Sequence, residues 1–163
     1  MQQSEAIYLI QKAITGDQPQ RWTDLGCGNG TFTLVLQKLL PTGSRLTAID
    51  KQAQKLPVTF IKADFEKDDL DLNDLDGVLM ANSLHYVRDQ AKLIKKLEAC
   101  FSTRPTFLIV EYNTERASPW VPYPINYQNL LKLFTTLNYT FITQLANLPS
   151  RFGGQIYSAL IRL

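Results

Sequence analysis

Trp22-Thr23-Asp24-Leu25-Gly26-Cys27-Gly28-Asn29-Gly30-Thr31-Phe32-Thr33 is the stretch on which the fold turns, since it reads as strand, glycine turn and helix start in succession. Three glycines within five residues are too dense for the interior of a helix or a strand. Gly26, Gly28 and Gly30 permit the positive backbone dihedrals of a tight turn, and their missing β-carbons let a flat ligand press on the main chain. Beyond them Leu34, Val35, Leu36, Leu39 and Leu40 recur at helical spacing until Pro41 and Gly43 stop the helix. The turn therefore delivers a ligand to the start of a helix.

The spacing separates this turn from other nucleotide-binding loops. A dinucleotide fold has G-x-G-x-x-G and a phosphate loop has G-x-x-x-x-G-K-[ST], whereas this chain has G-x-G-x-G with no lysine clamp after it. Cradling phosphate is not its purpose. Twenty residues after Gly30, the run Arg45-Leu46-Thr47-Ala48-Ile49 ends in Asp50, at the carboxyl end of a second strand, where an acid can accept both hydroxyls of a ribose. A third apolar strand, Val58 to Ala63, ends in Asp64-Phe65.

The glycine triplet behind Asp24, the acid at Asp50 and Ala63-Asp64-Phe65 together resemble the first three motifs of the class I S-adenosylmethionine-dependent methyltransferases. The resemblance implies an α/β fold: an open, doubly wound, seven-stranded mixed sheet in the order 3-2-1-4-5-7-6, one strand antiparallel, with helices on both faces and residues 1–163 forming one domain. It implies S-adenosylmethionine as cofactor and S-adenosylhomocysteine as product. The cofactor is expected among Asp24, Gly26, Cys27, Gly28, Gly30, Asp50, Lys51, Asp64, Phe65, Asn82 and Ser83. Asp50 would read the ribose, Asp64 the exocyclic amine of adenine, and Phe65 the face of its ring. Asp24 either orients the glycine turn or reaches the methionine amino group through water.

Outward from these motifs, residues 4 to 15 form an amphipathic helix behind a Ser4 cap, and Trp22 with Leu25 carries most of the burial of the first strand. Only Lys51 to Pro57 separate strands two and three, too few for the usual helical crossover. Either the chain returns extended and leaves the ribose edge open, or the third strand is antiparallel and carries Asp64 away. An acidic loop from Glu66 to Asp74 precedes a fourth strand, Asp76 to Ala81, and Asp89 caps a helix whose Leu93, Ile94, Leu97 and Phe101 face inward. Thr106 to Val110 is a buried central strand ending at Glu111-Tyr112-Asn113. The proline-aromatic stretch from Ala117 to Pro124 leads to a helix around Tyr127 to Leu137, and two last strands are joined through Asn147 to Gly154.

Of the 163 residues, 45% are hydrophobic and 20% charged, with a net charge of +2 and both signs interspersed, so no nucleic-acid-binding face is expected. Two cysteines and one histidine are too few for a structural metal or a disulfide framework, and the N-terminus shows neither signal peptide nor membrane span. A cytoplasmic monomer or homodimer is expected. His85, the one side chain that titrates near neutral pH, is the candidate general base, against a packing or hydrogen-bonding role in shaping the pocket. Tyr86, Glu111, Tyr112, Asn113 and Trp120 are the candidate acceptor contacts. With no [DN]-P-P-[YF] clamp after strand four, the expected acceptor is a small molecule. The competing readings are a catalytically silent cofactor-binding or protein-interaction module of the same fold and, opposed by the glycine spacing, a nicotinamide-dependent reductase.

Overall fold

The glycine-rich turn leaves the middle of the sheet, and its position there follows from the order in which the strands assemble. The computed structural model describes all residues, 1–163. In chain order the elements are α1 (Gln3–Ile10), β1 (Arg21–Leu25), α2 (Thr31–Leu39), β2 (Arg45–Asp50), β3 (Thr59–Lys62), β4 (Gly77–Ala81), α3 (Gln90–Glu98), β5 (Thr106–Tyr112), α4 (Tyr127–Thr136), β6 (Phe141–Pro149) and β7 (Gln155–Arg162). One seven-stranded sheet runs β3-β2-β1-β4-β5-β7-β6, as expected, with β7 antiparallel to both neighbours. The chain builds outward from β1 to β3, then jumps back to start β4 on the other side of β1. The carboxyl ends of β1 and β4 therefore diverge into a crevice, the place where open α/β sheets take their ligands.

Each face of the sheet has its own core. Leu93, Ile94 and Leu97 of α3 with Leu130 and Phe134 of α4 cover one face, where Phe107 stacks among Phe101, Phe134 and Tyr139 at 5.5 to 5.9 Å. Ala6, Leu9 and Ile10 of α1 with Phe32, Val35 and Leu36 of α2 cover the other. No helix is long and apolar enough to cross a membrane.

The crossover from β2 to β3 resolves the strain seen in the sequence. β3 is parallel to β2, Asp50 opposite Lys62, and the intervening segment contains no helix. Leu56 fills the space against Gly30, and Gln37 Nε2 donates to the Pro57 carbonyl at 3.3 Å. With no helix above it, β3 is an exposed edge, Ile61 included.

Three local expectations need correction. The first helix starts at Gln3, not behind Ser4: Glu5 Oε2 accepts the Gln2 N–H at 2.7 Å, and a 3-10 turn over Gln11–Ala13 takes over after Ile10. Thr23 and Asp24 are buried along with Trp22 and Leu25, because both faces of the central strand are covered. The last connection is shorter than Asn147 to Gly154, because an irregularity at Leu145 lets β6 stay paired with β7 as far as Pro149.

Candidate active site

At the carboxyl end of β1 the chain turns through Gly26, Cys27 and Gly28, and both the Gly26 and Cys27 N–H groups donate to the Ile49 carbonyl, at 2.8 and 3.1 Å. The Gly28 N–H donates to Asp50 Oδ2 at 2.9 Å, and the Gln52 N–H to Asp50 Oδ1 at 2.9 Å. The acid at the end of β2 is thus bound to the glycine turn itself. Each oxygen keeps a lone pair for a further donor.

The three glycines do different work. A β-carbon on Gly26 would lie 2.6 Å from Ser83 Cβ, so this glycine allows β1 and the exit of β4 to touch. One on Gly30 would meet Leu56. Only Gly28 faces open space, with a φ of +51° and nothing within 4 Å of the added atom. Gly26 and Gly28 both border the same cavity, whereas Gly30 does not.

Gly28 opens into a cavity of about 680 Å³ that Gly26, Cys27, Asp50, Lys51, Phe65, Asn82 and Ser83 also line. Of the expected cofactor residues, Asp24, Gly30 and Asp64 stand outside this lining. Asp64 is held by Lys51, Nζ to Oδ2 at 3.1 Å, and accepts the Glu66 N–H at 3.1 Å. Desolvation alone would push the Asp64 carboxyl up, but the Lys51 hydrogen bond and the backbone donors outweigh it and hold the group below the usual carboxylate range. Asp24 lies beneath the turn, Oδ2 accepting Thr33 Oγ at 2.6 Å and Oδ1 buried without a partner. Burial, opposed by the Thr33 bond and helped by Asp50, pushes this carboxyl up to about 7. Burial and the two carboxylates likewise push the Cys27 thiol up to about 12, so it stays protonated and unreactive at neutral pH.

Asn82, at the end of β4, has a φ of +55°, and its buried Oδ1 has no partner. Its N–H donates to the Val110 carbonyl at 2.8 Å, while Ser83 Oγ donates to the Leu25 carbonyl at 2.6 Å. These two anchors fix the 3-10 turn Leu84–Tyr86 and with it His85. The imidazole is buried and its Nδ1 lies 2.6 Å from Glu111 Oε2, while the His85 N–H donates to Glu111 Oε1 at 3.1 Å. Glu111 is an interior residue of β5 rather than its end, itself buried, and serves as the partner of His85 instead of a wall for the acceptor. In the tautomer whose Nδ1–H donates to Glu111, Nε2 is the ring's acceptor nitrogen.

His85, Tyr86, Tyr112, Asn113 and Trp120 line a second cavity of about 850 Å³, and Asn82 and Tyr86 belong to the walls of both. The two spaces meet at this pair. The proline-aromatic strap closes one side: Ser118 and Val121 exchange backbone hydrogen bonds at 3.0 and 3.1 Å, and the Tyr123 N–H donates to the His85 carbonyl at 2.9 Å.

A family model described as a methyltransferase domain matches residues 2–153. The chain belongs to that family. No curated protein matches it. Among solved structures, this methyltransferase domain is similar to the 1,6-didemethyltoxoflavin-N1-methyltransferase of Burkholderia thailandensis, solved with 1,6-didemethyltoxoflavin and S-adenosylhomocysteine, at a TM-score of 0.74 and 18% identity over 98% of this chain and 76% of that one. A SAM-dependent methyltransferase from Archaeoglobus fulgidus gives 0.68 and 15% over 90% of this chain and 87% of that one. One from Aquifex aeolicus gives 0.67 and 14% over 99% and 98%. At these identities the likeness is one of fold.

The two cavities contain residues that sequence reading passed over. Asn29, Thr31, Phe32 and Glu66 join the first cavity, and Arg116 and Phe152 the second. Thr31 and Phe32 belong to the quoted turn and could have been counted with it. Phe152, in the turn between β6 and β7, has no local signal.

The cofactor implied by the family fits these residues on two counts. Gly28 presents bare backbone where any side chain would intrude, and the unpartnered Oδ1 of Asn82, on the cavity wall, is an acceptor in want of a donor.

Proposed function

We infer that this domain methylates a small molecule, with S-adenosylmethionine as donor, at an acceptor atom that gives up a proton to His85. The observation that carries this reading is the hydrogen-bonded His85–Glu111 pair, whose imidazole lines the second cavity beside Tyr86, one of the two residues at which the cavities meet. The Gly28 backbone, Asp50, Phe65 and Asn82 would hold the cofactor, Asp50 at the ribose and Phe65 at the adenine. When bound, the cofactor supplies a methyl group already activated on a positively charged sulfur. What the protein must add is orientation, exclusion of water and a place for the acceptor's proton. Glu111 fixes the ring tautomer, Nε2 takes the proton, and the paired carboxylate stabilises the imidazolium that forms. The Burkholderia thailandensis enzyme, solved with 1,6-didemethyltoxoflavin bound, favours a small-molecule acceptor here as well.

Calorimetry with S-adenosylhomocysteine tests the cofactor half. Wild-type protein is expected to bind it. Asp50→Ala removes a charged acceptor and should weaken binding by about 1 to 3 kcal/mol. Full affinity in this variant would move the ribose elsewhere. Binding without turnover on any acceptor would favour a silent module.

Gly28 gives a second measurement. Gly28→Val puts its side chain into open cavity, so folding suffers only the backbone strain of about 1 to 2 kcal/mol while affinity should fall at least about tenfold. Gly26→Val instead collides with Ser83 and should lower the melting temperature far more. Equal affinity in wild type and Gly28→Val would take the glycine turn out of the site.

A further inference from the structure

The second cavity has an unusual wall. Tyr86, His85, Tyr112 and Phe152 form a chain of rings with centroid separations of 4.4, 5.9 and 6.5 Å, which runs from the buried dyad to the rim. At the rim Phe152 is 87% exposed, and Trp120, held out at the tip of the Ser118–Val121 turn, is 80% exposed. Both line the cavity, and they come from two different loops of the chain. Two large rings left in water on the wall of one concavity are surface that a ligand would cover.

The charge of the wall is equally one-sided. Arg116 is its one formal cation, and no aspartate or glutamate belongs to the lining. Arg116 takes part in none of the chain's ion pairs. Its neighbour Glu115 is engaged elsewhere, accepting from Asn126 Nδ2 at 2.9 Å. Glu111, the next carboxylate back along the chain, is buried behind His85.

We propose that the acceptor is a flat aromatic molecule bearing an anionic group, its ring clasped between Trp120 and Phe152 and its carboxylate read by Arg116. A planar ring matches π-faces on both rims, and a guanidinium fork matches a carboxylate in two hydrogen bonds. An aromatic hydroxyl on the same ring reaches inward along the tyrosines toward Nε2 of His85. The proposal rests on the methyl-transfer reading for the ligand's role as acceptor and for the direction in which the ring is inserted, not for the binding of the anionic aromatic ring itself. A cavity of about 850 Å³ accommodates one or two fused rings.

The test is calorimetry on the full chain saturated with S-adenosylhomocysteine, with 3-hydroxy-2-naphthoate as probe and 2-naphthol and cyclohexanecarboxylate as controls. The naphthoate is expected to bind at least about tenfold more tightly than either control. Arg116→Gln should erase its advantage over 2-naphthol, while Trp120→Ala and Phe152→Ala should each weaken it about tenfold. Because all three side chains are exposed, their melting temperatures should stay with wild type, which separates lost contacts from lost fold. Cyclohexanecarboxylate binding as well as the naphthoate would overturn the aromatic clasp, and 2-naphthol binding as well would overturn the anion site. Homocysteine-product binding with no affinity for the naphthoate overturns the proposal and leaves methyl transfer standing. Naphthoate binding without S-adenosylhomocysteine binding does the reverse.

Discussion

Replacing His85 by glutamine is expected to lower kcat about 10²- to 10⁴-fold, the usual yield of a positioned general base, with S-adenosylhomocysteine affinity unchanged within about twofold. Glutamine suits the test because its amide N–H can still donate to Glu111, 2.6 Å from the present Nδ1, so the buried carboxylate keeps a partner. His85→Ala would leave Glu111 Oε2 without its side-chain donor, at a cost of about 1 to 3 kcal/mol, and confuse lost stability with lost chemistry. Glu111→Gln probes the same unit from behind. A neutral amide no longer demands a donor from Nδ1, the other tautomer becomes accessible, and Nε2 then carries the proton it ought to accept. Two residues acting as one should be non-additive: the double variant should be hardly slower than His85→Gln alone. Tritium transfer from labelled S-adenosylmethionine to an extracted acceptor measures all three. A kcat within threefold of wild type in His85→Gln would reduce the imidazole to packing.

How far the site could be read from sequence depends on distance along the chain. The glycine turn is local, so residues 22 to 33 announce strand, turn and helix, and the spacing to Asp50 locates the second strand. The seven-stranded order followed from the resemblance those motifs carried, and the sheet agrees. The His85–Glu111 pair was not legible. It exists because β4 and β5 are parallel neighbours with Ala81 opposite Val110, which brings the residues after each strand's apolar run together from 26 positions apart. Glu111 looked like a strand end because a charge interrupts Thr106 to Val110, yet the backbone stays paired to Tyr112. The full burial of β1, where Trp22 and Leu25 were expected to carry most of it, was hidden in the same way. A single acid in a half-polar strand reads as half exposed until sheet neighbours cover both faces. Trp120 and Phe152 meet one cavity from loops whose conformations no periodicity encodes.

Asp24→Asn is expected to change the pH dependence of stability more than any other single substitution in the core. Burial raises this carboxyl from its ordinary 3.8 up to about 7, so between those values the unfolded chain releases a proton that the folded chain keeps. The unfolded state then binds fewer protons, and stability must fall as pH rises through about 4 to 7. At about 1.4 kcal/mol for each tenfold change in acidity, the full loss is about 4 kcal/mol. Asparagine cannot ionise and its oxygen still accepts from Thr33, although its N–H groups now face the place of the unpartnered Oδ1, at a cost of about 1 to 3 kcal/mol. Urea unfolding should therefore find the variant less stable than wild type at pH 4.5 and at least as stable at pH 8. Parallel pH curves for the two proteins would mean that Asp24 ionises like an exposed acid. A residue that weakens the fold at neutral pH is best explained by what it does with a ligand. If Asp24 faces the cationic amino group of the methionine end, S-adenosylhomocysteine should drive it to ionise, releasing a proton on binding at pH 6 that Asp24→Asn does not release. Calorimetry in two buffers of different ionisation enthalpy detects that proton. Its absence in wild type would confine Asp24 to holding Thr33 and the glycine turn in place.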